Sequence, residues 1–238
     1  MRQAQESEII RLSLHVRAGR PLYTFPQSDT NKEVMIVRPF EVTDVMKLWA
    51  DQIICATNNT RKNLNYDMRN ILGYPANRPV EGDKIINLHN EWEFKSSTGN
   101  PLTNGIIGNI VDFEIFDQDY PPALRGKPTS IPLLMVTITG DEPGELFKDI
   151  EGDYNELLTG TPSFTGQEEY KLLRRYKLYP VPFHLNYGYA VTCWKAQGSE
   201  WEKVLGYEEG FPFNPAEHTQ YLYTLITRAQ NRLVLVRQ

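Results

Sequence analysis

Residues 52–74 read QIICATNNTRKNLNYDMRNILGY. Residues 52–56 form a short apolar run without alternation, the pattern of a strand covered on both faces in a parallel sheet. Thr57, Asn58 and Asn59 follow, and such side chains favour a helix cap over a helix interior. Leu64, Met68 and Leu72 then recur at four-residue spacing, which predicts an apolar helical stripe. Strand, polar turn and helix in this order are the building unit of an α/β domain.

Residues 5–18 carry Ile9, Ile10, Leu12, Leu14 and Val16 among charges, and Gly19 with Pro21 ends the run, so a helix is predicted. Residues 22–32 read as loop and 34–37 as a short strand. Residues 43–50 read as a helix with Thr43 as N-cap and Val45, Met46 and Leu48 facing inward. From Pro79 the character changes. GDKIINLHN, GIIGNIVDFEIFD and SIPLLMVTITG read as short strands between Gly, Asn and Pro, which predicts a small β-barrel or meander. Residues 140–179 are acidic and mixed, with one helix predicted over 167–177. The α/β style returns from 181, with strands at 187–192, 203–207 and 232–236 and a helix over 216–229. The simplest architecture is one α/β domain made of 1–78 and 180–238, interrupted by a β insert over 79–179.

The chain has 238 residues, 40% hydrophobic and 23% charged, the balance of a folded protein. It lacks an apolar run of about 18 residues, so no membrane partner is expected. The polar start MRQAQESEII does not read as a secretory signal. Cys55 and Cys193 read as buried free thiols rather than a disulfide, as in a reducing cytoplasm. The Cys and His residues lack metal-ligand spacing, so no bound metal is expected. The net charge of −5 argues against a polyanionic partner, but its distribution does not. Residues 1–78 carry +3, 79–179 carry −8 and 180–238 are neutral, so the flanks can accept a polyanion.

Two segments can carry chemistry. In the first, YAVTCWKAQGSEWEKV at 189–204, Thr192 ends a strand and Lys195 is cationic. Gly198 permits close backbone approach, Ser199 and Glu200 can bond a ribose or phosphate, and Trp194 offers a stacking face. The same residues also suit a structural link whose tryptophans fill the core. In the second, LYTLITRAQNRLVLV at 222–236, Leu222, Leu225, Ile226 and Ala229 form an apolar face. Arg228 near the helix end either meets the helix dipole or aims at a phosphate.

In order and separation, these two segments resemble motifs V and VI of superfamily 1 helicases, and more narrowly the RecD/Dda branch. The usual form there is close to Tyr-Ala-x-Thr-x-His-Lys-x-Gln-Gly-Ser-Glu followed by Leu-Tyr-x-x-x-Thr-Arg-Ala. The start of the chain is similar to the motif IV segment, 52–73 to the strand and helix that follow it, and GDKIINLHN with LTNGIIGNIV to the SH3-like barrel inserted in this branch. The resemblance implies a second RecA-like domain, 1–78 with 180–238, carrying an SH3-like insert. It implies Arg228 as the arginine finger on the ATP γ-phosphate and Arg2 as a second γ-phosphate contact. Gly198, Glu200, Gln197 and Tyr223 would face the nucleotide, Tyr223 serving equally well as a core residue. Thr192, Trp194 and Lys195 would face single-stranded DNA. Asn58 and Arg61 at a helix start would hold a DNA phosphate, although Asn58 also reads as a plain N-cap. Trp194 departs from the family, which has histidine there. Tryptophan cannot both donate and accept, but it can stack on a base.

No Gly-x-x-x-x-Gly-Lys-Ser/Thr phosphate loop is present. The nearest imitation, LRGKPTS at 124–130, has Pro128 in the Ser/Thr position and reads as a loop between strands. The resemblance therefore implies the C-terminal half of an ATP-dependent 5′→3′ DNA helicase or translocase. Its cofactors are ATP and Mg²⁺, shared with an N-terminal RecA-like half, and its substrate is single-stranded DNA. Its setting is the cytoplasm of a bacterium or phage-infected cell, and recombination or replication proteins are candidate partners of the insert. RecD likeness also suggests a subunit of an ATP-dependent exodeoxyribonuclease. The other reading is a non-catalytic nucleic-acid- or protein-binding module derived from a helicase domain.

Overall fold

The computed structural model describes residues 7–26, 33–126, 129–210 and 214–237. The α/β part begins with α1 (Glu8–Arg17), β1 (Val34–Val37), α2 (Asp44–Trp49), β2 (Gln52–Cys55) and α3 (Asn58–Ile71). The insert follows with β3 (Lys84–Asn87), β4 (Glu91–Lys95), β5 (Pro101–Leu102), β6 (Ile107–Tyr120), α4 (Pro122–Arg125), β7 (Thr129–Thr139), β8 (Leu146–Asp153), α5 (Tyr154–Thr159), α6 (Gly166–Arg175) and β9 (Leu185–Tyr187). The chain then returns to the first part with β10 (Ala190–Thr192), β11 (Trp201–Tyr207), α7 (Pro215–Ile226) and β12 (Ala229–Val236). It packs as two compact units, Met1–Leu72 with Tyr189–Gln238, and Gly73–Gly188.

The first unit is built on a five-stranded sheet of order β1-β12-β11-β2-β10, parallel throughout. All four residues of β2 are buried, as an apolar run without alternation requires. Ile53, Cys55, Leu205, Val234 and Val236 face Leu64 and Met68 of α3. Burying each of those two side chains contributes about 1.5–3 kcal/mol. Alternation along β11 turns Gly206 to the other face, where a Cβ would lie 2.3 Å from Leu225 of α7. The sheet is thus covered on both faces. Among the described residues, no helix is long and apolar enough to cross a membrane.

In the second unit the sheet is antiparallel, of order β8-β7-β6-β3-β9. Its two ends meet. Phe183 N donates to Glu151 O at 2.8 Å, and Asp153 N donates to Phe183 O at 3.0 Å, which joins β8 to the approach to β9. Tyr120, Leu124, Ile131, Leu133, Phe164 and Leu172 make a core between sheet and helices.

The structure departs from the sequence expectations in both units. Residues 187–192 are not one strand, because β9 ends in the insert's sheet and β10 starts in the parallel one. Gly188 makes the switch possible, since a Cβ there would lie 3.0 Å from the Ile85 carbonyl carbon. The insert's strands are longer than their punctuation suggests, with 14 residues in β6 and 11 in β7, because cross-strand pairing carries them past Gly108 and Asn109 in β6 and Pro132 in β7. Acidic residues 146–153 form β8, which composition hid. In α2, Val45 and Leu48 are exposed, while Met46 and Trp49 pack on the core: a six-residue helix docks by one narrow face.

Candidate functional site

At the carboxyl edge of the parallel sheet, Thr192 of β10 pairs with Cys55 of β2, and Cys193 N donates to Cys55 O at 2.8 Å. Helix α3 starts beside them. Its N-cap is Thr57, whose Oγ1 accepts from Thr60 N at 3.1 Å, so the cap falls one residue before Asn58, which is exposed. The residues that lead into this helix, Ala56 and Thr57, are tied down by a carboxylate from far along the chain. Glu209, just past β11, accepts from Thr57 N at 3.0 Å and from Thr57 Oγ1 at 3.2 Å, and also from Ala56 N and Thr60 Oγ1. A carboxylate thus lies beside the helix start at which the sequence suggests a DNA phosphate, while Asn58 itself is exposed. Sequence reasoning missed Glu209. Its only signal is a pair of acidic residues, Glu208 and Glu209, after the apolar run of β11. Arg61 is 8% exposed, a buried cation rather than an outward one. Half-buried Lys195 has its ammonium pKa lowered, first by burial and then by the charge of Arg61.

From this edge, residues 193–200 cross to the amino edge of the sheet, where β11 begins. Strand β11 has 7 residues, so the two edges are about 20 Å apart at the rise of a strand. The glycine-bearing end of the turn therefore lies away from the carboxyl edge at which open α/β sheets usually take ligands. Gly198 adopts φ +91°, and the space a Cβ would fill is open.

The two sequence segments meet at the amino edge. Helix α7 stops at Ile226 rather than 229, which leaves Arg228 in the turn before β12. Trp201 N donates to Arg228 O at 2.9 Å. The Arg228 guanidinium donates from Nε to Thr224 O at 3.1 Å, from Nη1 to Ser199 O at 3.1 Å and from Nη2 to Thr227 Oγ1 at 3.2 Å. These bonds use three of the five N–H donors of the fork and hold its plane. Thr224 O belongs to the last turn of α7, so the helix-end contact exists and two donors remain for an anion. Gln230 Nε2 donates to Glu200 Oε2 at 3.2 Å, a second tie between the segments. Tyr223 is half-buried with the Arg17 guanidinium 5.9 Å from its ring centre. Arg2 lies outside the described residues, as do Lys127 and Pro128 of the LRGKPTS loop.

Between the crossing turn and α7 lies a cavity of about 350 Å³, lined by Cys193, Trp194, Gln197, Glu217, Gln220, Tyr221 and Thr224. Trp194 is 53% exposed, and its ring stands 6.1 Å from that of Tyr221 at 21°. Burial pushes the Cys193 thiol up to about 12, with Arg228 pulling it down, so it stays protonated and unreactive at neutral pH. Both cysteines are free and buried. Among the described residues, no three His, Cys, Asp or Glu side chains are grouped to hold a metal ion.

The UvrD-like helicase C-terminal domain matches residues 187–236, the span holding both segments. No curated protein matches in sequence. Among solved structures, a crystal structure of Pif1 helicase from Candida albicans is similar over 100% of this chain and 55% of its own, at 14% identity and TM-score 0.51. A structure of two coordinating Pif1 helicases on forked duplex DNA is similar over 98% of this chain and 47% of its own, at 16% identity and TM-score 0.50. The chain spans about half the length of these Pif1 structures. At such identities the likeness is one of fold: the α/β chain with its parallel-sheet unit is similar in fold to these helicases, and its residues 187–236 are similar to the UvrD-like helicase C-terminal domain.

Proposed function

We propose that this chain is the C-terminal motor half of an ATP-dependent DNA helicase of the RecD/Dda type, moving 5′ to 3′, with Gly73–Gly188 as an SH3-like insert. The observation that carries this reading is the junction at the amino edge. Two segments matched to one helicase domain are tied through Arg228, held by Ser199 and Thr224, with donors left over. A fixed guanidinium of this kind suits charge developing on a transferring phosphoryl group. Gly198, Gln197, Glu200 and Tyr223 surround the nucleotide side. Thr192, Trp194, Lys195 and Asn58 form the strand side, and Arg61 acts there through its field on Lys195. The eight residues between the two edges couple nucleotide state to grip on DNA. Mg²⁺ and the phosphate loop come from an N-terminal RecA-like half, which this sequence does not contain.

The test is reconstitution with such a half. The expected outcome is no ATPase from this chain alone and DNA-stimulated ATPase from the mixture, with Arg228→Ala lowering kcat by about a thousand-fold or more. Full activity in the Arg228→Ala mixture overturns the assignment of the finger. DNA binding without any ATPase in the mixture favours a non-catalytic module.

A further inference from the structure

The cavity between the crossing turn and α7 has a composition suited to one class of ligand. Its volume, about 350 Å³, falls at the small end of the range of about 300–1,000 Å³ for ligand sites. One wall is flat and apolar: the indole of Trp194, half exposed and nearly parallel to Tyr221, whose hydroxyl is tied to Tyr207 O. The other lining groups include polar ones biased toward accepting. Glu217 has one carboxylate oxygen on Asn214 N at 3.4 Å, and its other oxygen can only accept while ionised. Thr224 gives its single hydroxyl proton to Gln220 O at 2.8 Å, so toward the cavity it too is an acceptor. The side-chain amides of Gln197 and Gln220 adapt to either role.

We propose that this cavity takes one nucleobase turned out of a bound single strand, stacked on Trp194, and that it prefers bases with an exocyclic amino group over thymine. An amino group on cytosine, adenine or guanine can donate to the Glu217 carboxylate, as carboxylates accept from cytosine N4. Thymine presents a carbonyl in its place, and two facing acceptors leave both unsatisfied. The inference rests on the strand-binding reading above. The base of a free nucleotide offers the same chemistry, and the experiment separates the two sources.

The experiment measures anisotropy of labelled dC and dT oligonucleotides of one length with the full chain at fixed salt. The dC strand is expected to bind about five-fold tighter than dT. Trp194→Ala weakens the dC strand by about ten-fold, and Trp194→Phe restores part of the loss. Glu217→Gln, which keeps the capping box at the start of α7, brings the two strands to within about two-fold. Equal binding of dC and dT by the unaltered chain overturns the inference, as does strand affinity indifferent to Trp194. ADP that displaces neither strand yet loses affinity in Trp194→Ala assigns the cavity to a nucleotide's base and overturns it too. Strand binding without base preference removes only this inference, whereas no strand binding at all removes the functional reading with it.

Discussion

Gly198 and Arg228 show how a single position carries two constraints. Gly198 holds φ +91° in open space, so an alanine meets no neighbour yet is strained by its own backbone. Gly198→Ala is expected to cost about 1 kcal/mol of stability in urea unfolding. It should also lower the ATPase of the reconstituted enzyme, because Ser199 O, which holds Arg228, is the next carbonyl along the chain. Arg228 was legible as a cation near a helix end. Its second partner, Ser199 O, lies 29 residues away in sequence and could not be read from spacing. Trp194 is legible as a departure from the histidine of the helicases that the sequence resembles, but its cavity is not, since four of the lining residues come from α7.

Helix α3 is legible from four-residue periodicity and a polar start, because both are local, but Leu72 caps the helix and Ile71 packs on the core in its place. Its closing partner is not local: the Glu209 carboxylate arrives from 152 residues beyond Thr57. Removing it in Glu209→Ala leaves the buried Ala56 N–H and the Thr57 N–H without their acceptor. The expected cost is about 1–2 kcal/mol in chemical unfolding, the size of a lost N-terminal cap. Glu209→Gln should lose less, since an amide oxygen still accepts. If Lys195 and Asn58 meet a DNA phosphate here, Glu209→Gln also tightens strand binding and steepens its salt dependence, because the competing charge is gone.

In the chain as a whole, the acidic middle folds as a unit with its own core, and one histidine ties its helices together. His184 Nδ1 bonds Glu156 Oε2 of α5 at 2.6 Å, and its Nε2 lies 3.2 Å from Glu169 Oε1 of α6, with the His89 ring 4.1 Å away and Asp153 and Glu91 nearby. The bond to Glu156 is the main cause that holds the His184 pKa above its ordinary 6.5. A raised folded pKa stabilises fully below the unfolded value and ceases to do so as pH rises through the folded one. The insert should therefore melt at lower temperature as pH rises above 6.5, and His184→Gln should flatten that slope in thermal melts. The linear order of residues specifies most strands and helices of the α/β unit, its split around a β insert, and the paired segments that resemble helicase motifs. Those follow from periodicity, cap chemistry and motif order, which neighbours in the chain can encode. Folding in three dimensions assigns residues 185–187 and 190–192 to different sheets, carries the 193–200 turn from one sheet edge to the other, and brings Glu209 to α3 and Ser199 to Arg228. These depend on register and long-range hydrogen bonds, which are settled when sheets pair and faces pack rather than by any short run of residues.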